Sequence, residues 1–118
     1  MLPNRMQLNR TVEEQLKKLK ANTGITPNVS ARIAFFRSIE SDYTYQSNID
    51  YKLDGSLILD KYTWLGKTQV ITELLLKQKY PELKGKDLQI AWAAHVEHGI
   101  SALRNYKLLS TLIGNDNL

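Results

Sequence analysis

Three lysines within four positions, Lys17, Lys18 and Lys20, are the side chains of this sequence best suited to a chemical task. An ammonium on a flexible stem binds phosphate as a point charge and carries little information about bases. Lys17 and Lys20 are three apart and share a helical face, and Lys18 lies about 100° around from Lys17. The competing reading is a solvated face. Glu13 and Glu14 precede Lys17 and Lys18 by four residues, and each such pair is worth about 0.2–0.5 kcal/mol. Lys20 is the least compensated of the three. Upstream, Arg5, Gln7 and Asn9 alternate with Met6 and Leu8. They therefore point to one side of an extended arm, and all three types can address base edges.

Other groupings support chemistry less well. Gly66-Lys67-Thr68 resembles the end of a phosphate-binding loop, but the required glycine five positions earlier is Lys61. It reads better as a helix start. His95, Glu97 and His98 could share a helix turn and hold a metal for nuclease chemistry, yet a third ligand and the H-E-x-x-H spacing are absent. A packed histidine pair is the simpler reading. Tyr43, Tyr45, Tyr51, Tyr62 and Trp64 could stack on bases, although aromatics at this density usually pack in a core or interface. No nucleophile–base–orienter set is identifiable, so no catalytic residue, metal or cofactor is assigned.

The elements that must position these residues follow from periodicity and turn chemistry. Residues 4–9 read as a strand or arm. Thr11 is the expected N-cap of a first helix, with Glu14 at the capping-box position, Val12, Leu16 and Leu19 inward, and Gly24 as C-cap. Thr26-Pro27 starts a second helix, with Val29, Ile33, Phe36 and Ile39 as its apolar face. Asp54-Gly55 is the expected turn of a short β-hairpin between YKL and SLIL. Lys67 to Tyr80 reads as a third helix, with Val70, Ile71, Leu74 and Leu75 inward and Pro81 stopping it. Residues 86–98 read as a fourth, broken or kinked at Gly99 before a last helix, Ile100 to Ile113, capped by Gly114 ahead of a frayed tail. The small residues Ala91, Ala94, Gly99 and Ala102 allow close helix approach, within the core or between subunits. The expected fold is mainly α: one compact domain, 1–118, of about five helices with a ribbon-helix-helix-like start.

Composition narrows the function classes. At 118 residues, 42% hydrophobic and 24% charged, the chain reads as an ordinary soluble globular domain with no membrane span and no signal peptide. It has no cysteine, which excludes disulfides and thiolate-bound metal clusters and fits a reducing cytoplasm. The net charge of +4 lies wholly in residues 1–40, which carry seven basic and three acidic side chains; the remainder carries nine of each. That asymmetry points to a polyanionic partner.

The opening MLPNRMQLNRTVEEQLKKLKANTGITPNVSARIAFFRSIES and the later WAAHVEHGISAL resemble the DndE family of the bacterial DNA phosphorothioation system over nearly the whole length. That system replaces a non-bridging phosphate oxygen of DNA with sulfur. A chain without cysteine carries no persulfide, so the resemblance implies a role other than sulfur carrier. It implies a non-enzymatic accessory subunit that binds double-stranded DNA along its backbone, as a helical homo-oligomer such as a tetramer, with other proteins of the modification complex as partners. Lys17, Lys18 and Lys20, joined by Arg10 and Arg5, are the DNA-binding residues expected on this view. Because exchanging a backbone oxygen could involve an opened strand, a preference for nicked duplex is a further expectation. Two other classes compete. A ribbon-helix-helix-type regulator of the modification operon would read bases with Arg5, Gln7 and Asn9, and a pure scaffold would bind only proteins.

Overall fold

The structure is a computed structural model that describes residues 1–47 and 50–113, with side chains along the last helix described as far as Leu103. The expected Gly114 cap and frayed tail lie outside the described residues. The chain runs β1 (Arg5–Met6), α1 (Arg10–Thr23), α2 (Pro27–Ile39), β2 (Leu59–Asp60), α3 (Lys61–Leu65), a 3-10 turn (Gly66–Thr68), α4 (Gln69–Lys79) and α5 (Gly85–Ile113). The mainly helical fold with an extended N-terminal arm is as expected. No helix among the described residues is long and apolar enough to cross a membrane.

α5 is the central pillar. Leu88, Ala91, Trp92, Ala93, Val96 and Ile100 are all buried, and from Leu88 to Val96 every residue but Ile90 is buried. The expected break at Gly99 does not occur: α5 is continuous through it. Its role is contact with α2. A Cβ built at Gly99 would lie 1.8 Å from the Ala34 carbonyl oxygen, so only a hydrogen lets the two backbones meet. The small-residue pattern thus serves the core. α2 turns Ser30, Ala31, Ala34, Phe35 and Ser38 inward, whereas Val29 and Ile33, expected in its apolar face, are 37% and 41% exposed. Large side chains there would hold α2 off α5.

The expected hairpin at Asp54-Gly55 is replaced by a longer-range pairing. β1 pairs antiparallel with β2, Arg5 opposite Asp60 and Met6 opposite Leu59. The Lys61 amide donates to the Asn4 carbonyl at 2.6 Å and the Gly55 amide to the Leu8 carbonyl at 2.8 Å. The turn formers are used against the arm instead of between two strands. Asp54 Oδ1 accepts from the Arg10 amide at 2.8 Å, and a Cβ at Gly55 would sit 2.6 Å from the Leu8 oxygen. Trp64 Nε1 donates to the Met6 carbonyl at 2.8 Å, securing the same arm from the core side.

The third expected helix, Lys67 to Tyr80, is α4 preceded by the 3-10 turn, with α3 a separate short helix before them, and its orientation is the reverse of that expected. Thr72, Glu73 and Leu76 are buried, while Val70, Ile71 and Leu74 are exposed. Glu73 is drawn inward by two donors: the Leu2 amide at 2.8 Å and Lys61 Nζ at 3.4 Å from its Oε2. A buried carboxylate is tolerated where such donors meet it. Periodicity alone ranks apolar above acidic for burial and cannot anticipate partners 12 and 71 residues away.

Candidate nucleic-acid interface

α1 carries the basic face. It starts one residue before Thr11, and Asn9 is the cap, its Oδ1 accepting from the Val12 amide at 2.8 Å. Val12 and Leu16 are fully buried and Leu19 packs against the core. Gly24 ends the helix at φ 79°, its amide donating to the Lys20 carbonyl. The opposite surface exposes Arg10, Glu14, Lys17 and Lys18, with Lys20 exposed in the last turn. By helix geometry Arg10 and Lys17 lie within about 20° of each other and roughly 10 Å apart along the axis. Lys20 lies about 60° to one side of Lys17 and Lys18 about 100° to the other. The five expected contact residues are thus all exposed, four of them on one helix.

The expected Glu13–Lys17 pair forms, but Glu13 also has a second role. Glu13 is buried and serves as an anchor. Its carboxylate accepts from the Ser56 hydroxyl at 2.9 Å, the Ser56 amide and the Leu57 amide, fastening the 54–57 segment onto α1. Burial alone would raise its pKa, but the amides of Leu57 and Ser56, the Ser56 hydroxyl and the Lys17 charge hold it below the usual carboxylate range. Lys17 Nζ lies 3.5 Å from Glu13 Oε2 with its side chain 55% exposed. That contact keeps Lys17 on the face without covering it. Among the described residues no ion pair joins Glu14 and Lys18, although Glu14 remains an exposed negative charge beside them. Glu13→Ala should cost about 2–3 kcal/mol, since it strands two amides and a hydroxyl. A lowered urea midpoint at neutral pH checks this, and the loss should shrink as acid protonates the wild-type carboxyl.

The base-reading set does not survive. Arg5 is exposed, with Nη2 3.5 Å from the Ile58 carbonyl. Gln7 donates through Nε2 to the Gly55 carbonyl at 2.9 Å, and Asn9 is committed to the α1 cap. β1 is paired with β2 of its own chain. A ribbon-helix-helix reader needs those side chains free, so its readout geometry is overturned. Arg32 also leaves the basic surface. Its Nε donates to the Trp64 carbonyl at 2.8 Å and its Nη2 to the Thr63 carbonyl at 3.0 Å, satisfying the end of α3.

The histidines form a packed relay that the sequence pattern only half suggested. His95 is fully buried. Its Nδ1 lies 2.7 Å from Ser38 Oγ and its Nε2 lies 2.6 Å from the Tyr80 hydroxyl. His98 Nδ1 lies 2.9 Å from the same serine oxygen. The Tyr80 oxygen also accepts from the Tyr45 amide at 2.8 Å. One assignment uses every proton: Tyr80 donates to His95 Nε2, His95 Nδ1–H donates to Ser38, and Ser38 donates to His98. Both His95 nitrogens are then occupied, leaving no lone pair for a metal. Tyr43 stacks on His98 with centroids 4.4 Å apart, and the Tyr51 hydroxyl donates to the Ala93 carbonyl at 3.3 Å. Of the aromatics considered for base stacking, Tyr62 alone stands clear, 65% exposed. Ser38 and Tyr80 carry no sequence signal for this network, because their partners are 57 and 15 residues away.

The family model described as DNA sulphur modification protein DndE matches residues 5–111. The chain belongs to the DndE family. It is similar to the crystal structure of DndE from Escherichia coli B7A, described as involved in DNA phosphorothioation modification, at 63% identity over 87% of this chain and 98% of that one, with a TM-score of 0.85. It is also similar to a crystal structure of a DndE glycine-to-lysine mutant, at 62% identity over 87% of this chain and 99% of that one, with a TM-score of 0.83. A comparison with curated proteins gave no match.

Proposed function

We propose that this DndE-family chain is a non-enzymatic, DNA-binding accessory subunit of DNA phosphorothioate modification, acting in the cytoplasm as a homo-oligomer alongside other proteins of the modification complex. Arg10, Lys17, Lys18 and Lys20 on α1, with Arg5 on the adjoining arm, contact phosphates of double-stranded DNA. The observation that carries this reading is the exposure of all five side chains in a chain of a DNA sulphur modification family. Exposed lysines supply affinity without sequence preference. With Gln7 and Asn9 engaged internally, the regulator alternative has no set of base readers.

Within this reading, a break in one strand is the preferred target, as follows if the exchange of a backbone oxygen passes through an opened strand. Competition binding at fixed salt with intact, nicked and single-stranded DNA of one sequence tests it. Nicked duplex should compete best. Equal affinities would remove the nick preference, and no binding of any form at physiological salt would favour a protein-only scaffold.

A further inference from the structure

Glu14 is an exposed carboxylate set inside the basic face of α1. By helix geometry it lies about 40° around and roughly 6 Å along the axis from Arg10 on one side and from Lys18 on the other. Lys17 lies about 60° from it, roughly 4.5 Å further along. Three cations thus surround one negative charge. The other carboxylates of this surface have structural partners. Glu13 accepts from the Ser56 and Leu57 amides and lies 3.5 Å from Lys17 Nζ. Asp54 Oδ1 accepts from the Arg10 amide at 2.8 Å. Among the described residues Glu14 takes part in no ion pair, so its charge stays on the face where phosphates are to bind.

We propose that Glu14 makes this face selective, admitting a DNA backbone that is broken opposite it and disfavouring a continuous one. Phosphates recur on each strand about every 3.4 Å of duplex axis. A continuous strand laid across Arg10 and Lys17, roughly 10 Å apart along the helix, therefore brings a phosphate toward the carboxylate between them. Like charges held that close repel, and such a clash rejects one ligand without improving the fit of the other. A strand opened at that point can part around Glu14, leave its carboxylate in water and keep the flanking phosphates on Arg10 and Lys17. The cations then supply attraction to every form of DNA, and Glu14 supplies the difference between forms. The inference rests on the DNA-backbone reading of α1 and names a residue for its preference for opened strands. The plainer role for Glu14 is helix support through Lys18, four residues on. That role predicts an equal gain on all DNA when the charge is removed.

The test compares the full-length wild type with Glu14→Gln, which removes the charge and keeps the shape. Glu82→Gln, in the exposed turn between α4 and α5, makes the same change of net charge off α1. Each protein is titrated at fixed salt with one duplex sequence, intact or carrying a single nick, and circular dichroism reports the fold. The wild type should favour the nicked duplex. Glu14→Gln should keep its helicity and bind the intact duplex about three- to tenfold more tightly. The nicked duplex should gain less, so the ratio of the two affinities falls toward one. Glu82→Gln should leave that ratio as it is. A wild type that favours nicked duplex, with the same ratio kept in Glu14→Gln, overturns the inference and leaves the nick preference standing. Equal wild-type affinities for the two forms remove the preference and this inference but leave backbone binding in place. No binding of either form removes all three.

Discussion

Gly99→Ala is expected to destabilise the fold by about 3 kcal/mol or more, lowering the thermal midpoint by roughly 10–15 °C. The added methyl would lie 1.8 Å from the Ala34 carbonyl oxygen and 2.5 Å from its carbon. Neither can yield as a flexible side-chain end does, so α2 and α5 must separate along their whole crossing. Ordinary glycine-to-alanine changes inside helices stabilise by about 0.5–1 kcal/mol, so the sign of the effect distinguishes the two roles. A calorimetric or dichroic melt with a raised midpoint would mean that the helices do not meet as closely as this structure has them.

The His95 relay carries the second large effect. His95→Ala removes the shared partner of Ser38 and Tyr80 and opens a cavity in the core, at an expected cost of about 3–4 kcal/mol. The same network predicts acid sensitivity. Burial, reinforced by the charges of Lys79 and His98, holds the His95 pKa down at about 3 against an ordinary value of 6.5. The unfolded chain therefore binds the proton more readily between those values. His95 stabilises the fold fully above about pH 6.5, and that contribution falls as the pH drops toward 3, by up to a few kcal/mol in total. Urea midpoints measured from pH 7 to pH 4 should decline, and the decline should be much reduced in His95→Phe. Glu13 adds to the loss at the acid end, because its lowered pKa makes its contribution vanish as pH falls through the carboxylate range.

How much could be read from sequence divides along the reach of the interactions. α1 was readable because its determinants are local: the Val12–Leu16–Leu19 stripe, the lysines opposite it and the Gly24 cap all act within one or two turns. Thr26-Pro27 likewise marked the start of α2. What could not be read depends on distant partners. Glu13 is the i+4 mate of Lys17, as expected, but it is also the anchor of residues 56–57. The apolar pattern of the third helix puts Val70, Ile71, Leu74 and Leu75 inward, and the burial of Glu73 against Leu2 and Lys61 turns α4 around. Gly99 looked like a helix breaker because alone it is one, and only the presence of Ala34 makes it a contact. In the interface, residue types located the lysines, but whether Gln7 and Arg32 were free depended on the 54–65 segment folding back over them, while Asn9 is taken by the α1 cap.

The most direct test of the basic face of α1 as a DNA-backbone contact is a salt titration of duplex binding, comparing wild type with Lys17→Ala/Lys18→Ala/Lys20→Ala. All three side chains are exposed and Lys17 alone has an ion pair among the described residues, with Glu13, so the melting temperature should fall by no more than about a few degrees. The plot of log affinity against log salt should become shallower by about one unit for each lysine that neutralises a phosphate, with affinity falling equally for unrelated sequences. An unchanged slope and affinity would contradict the assignment of this helix to DNA.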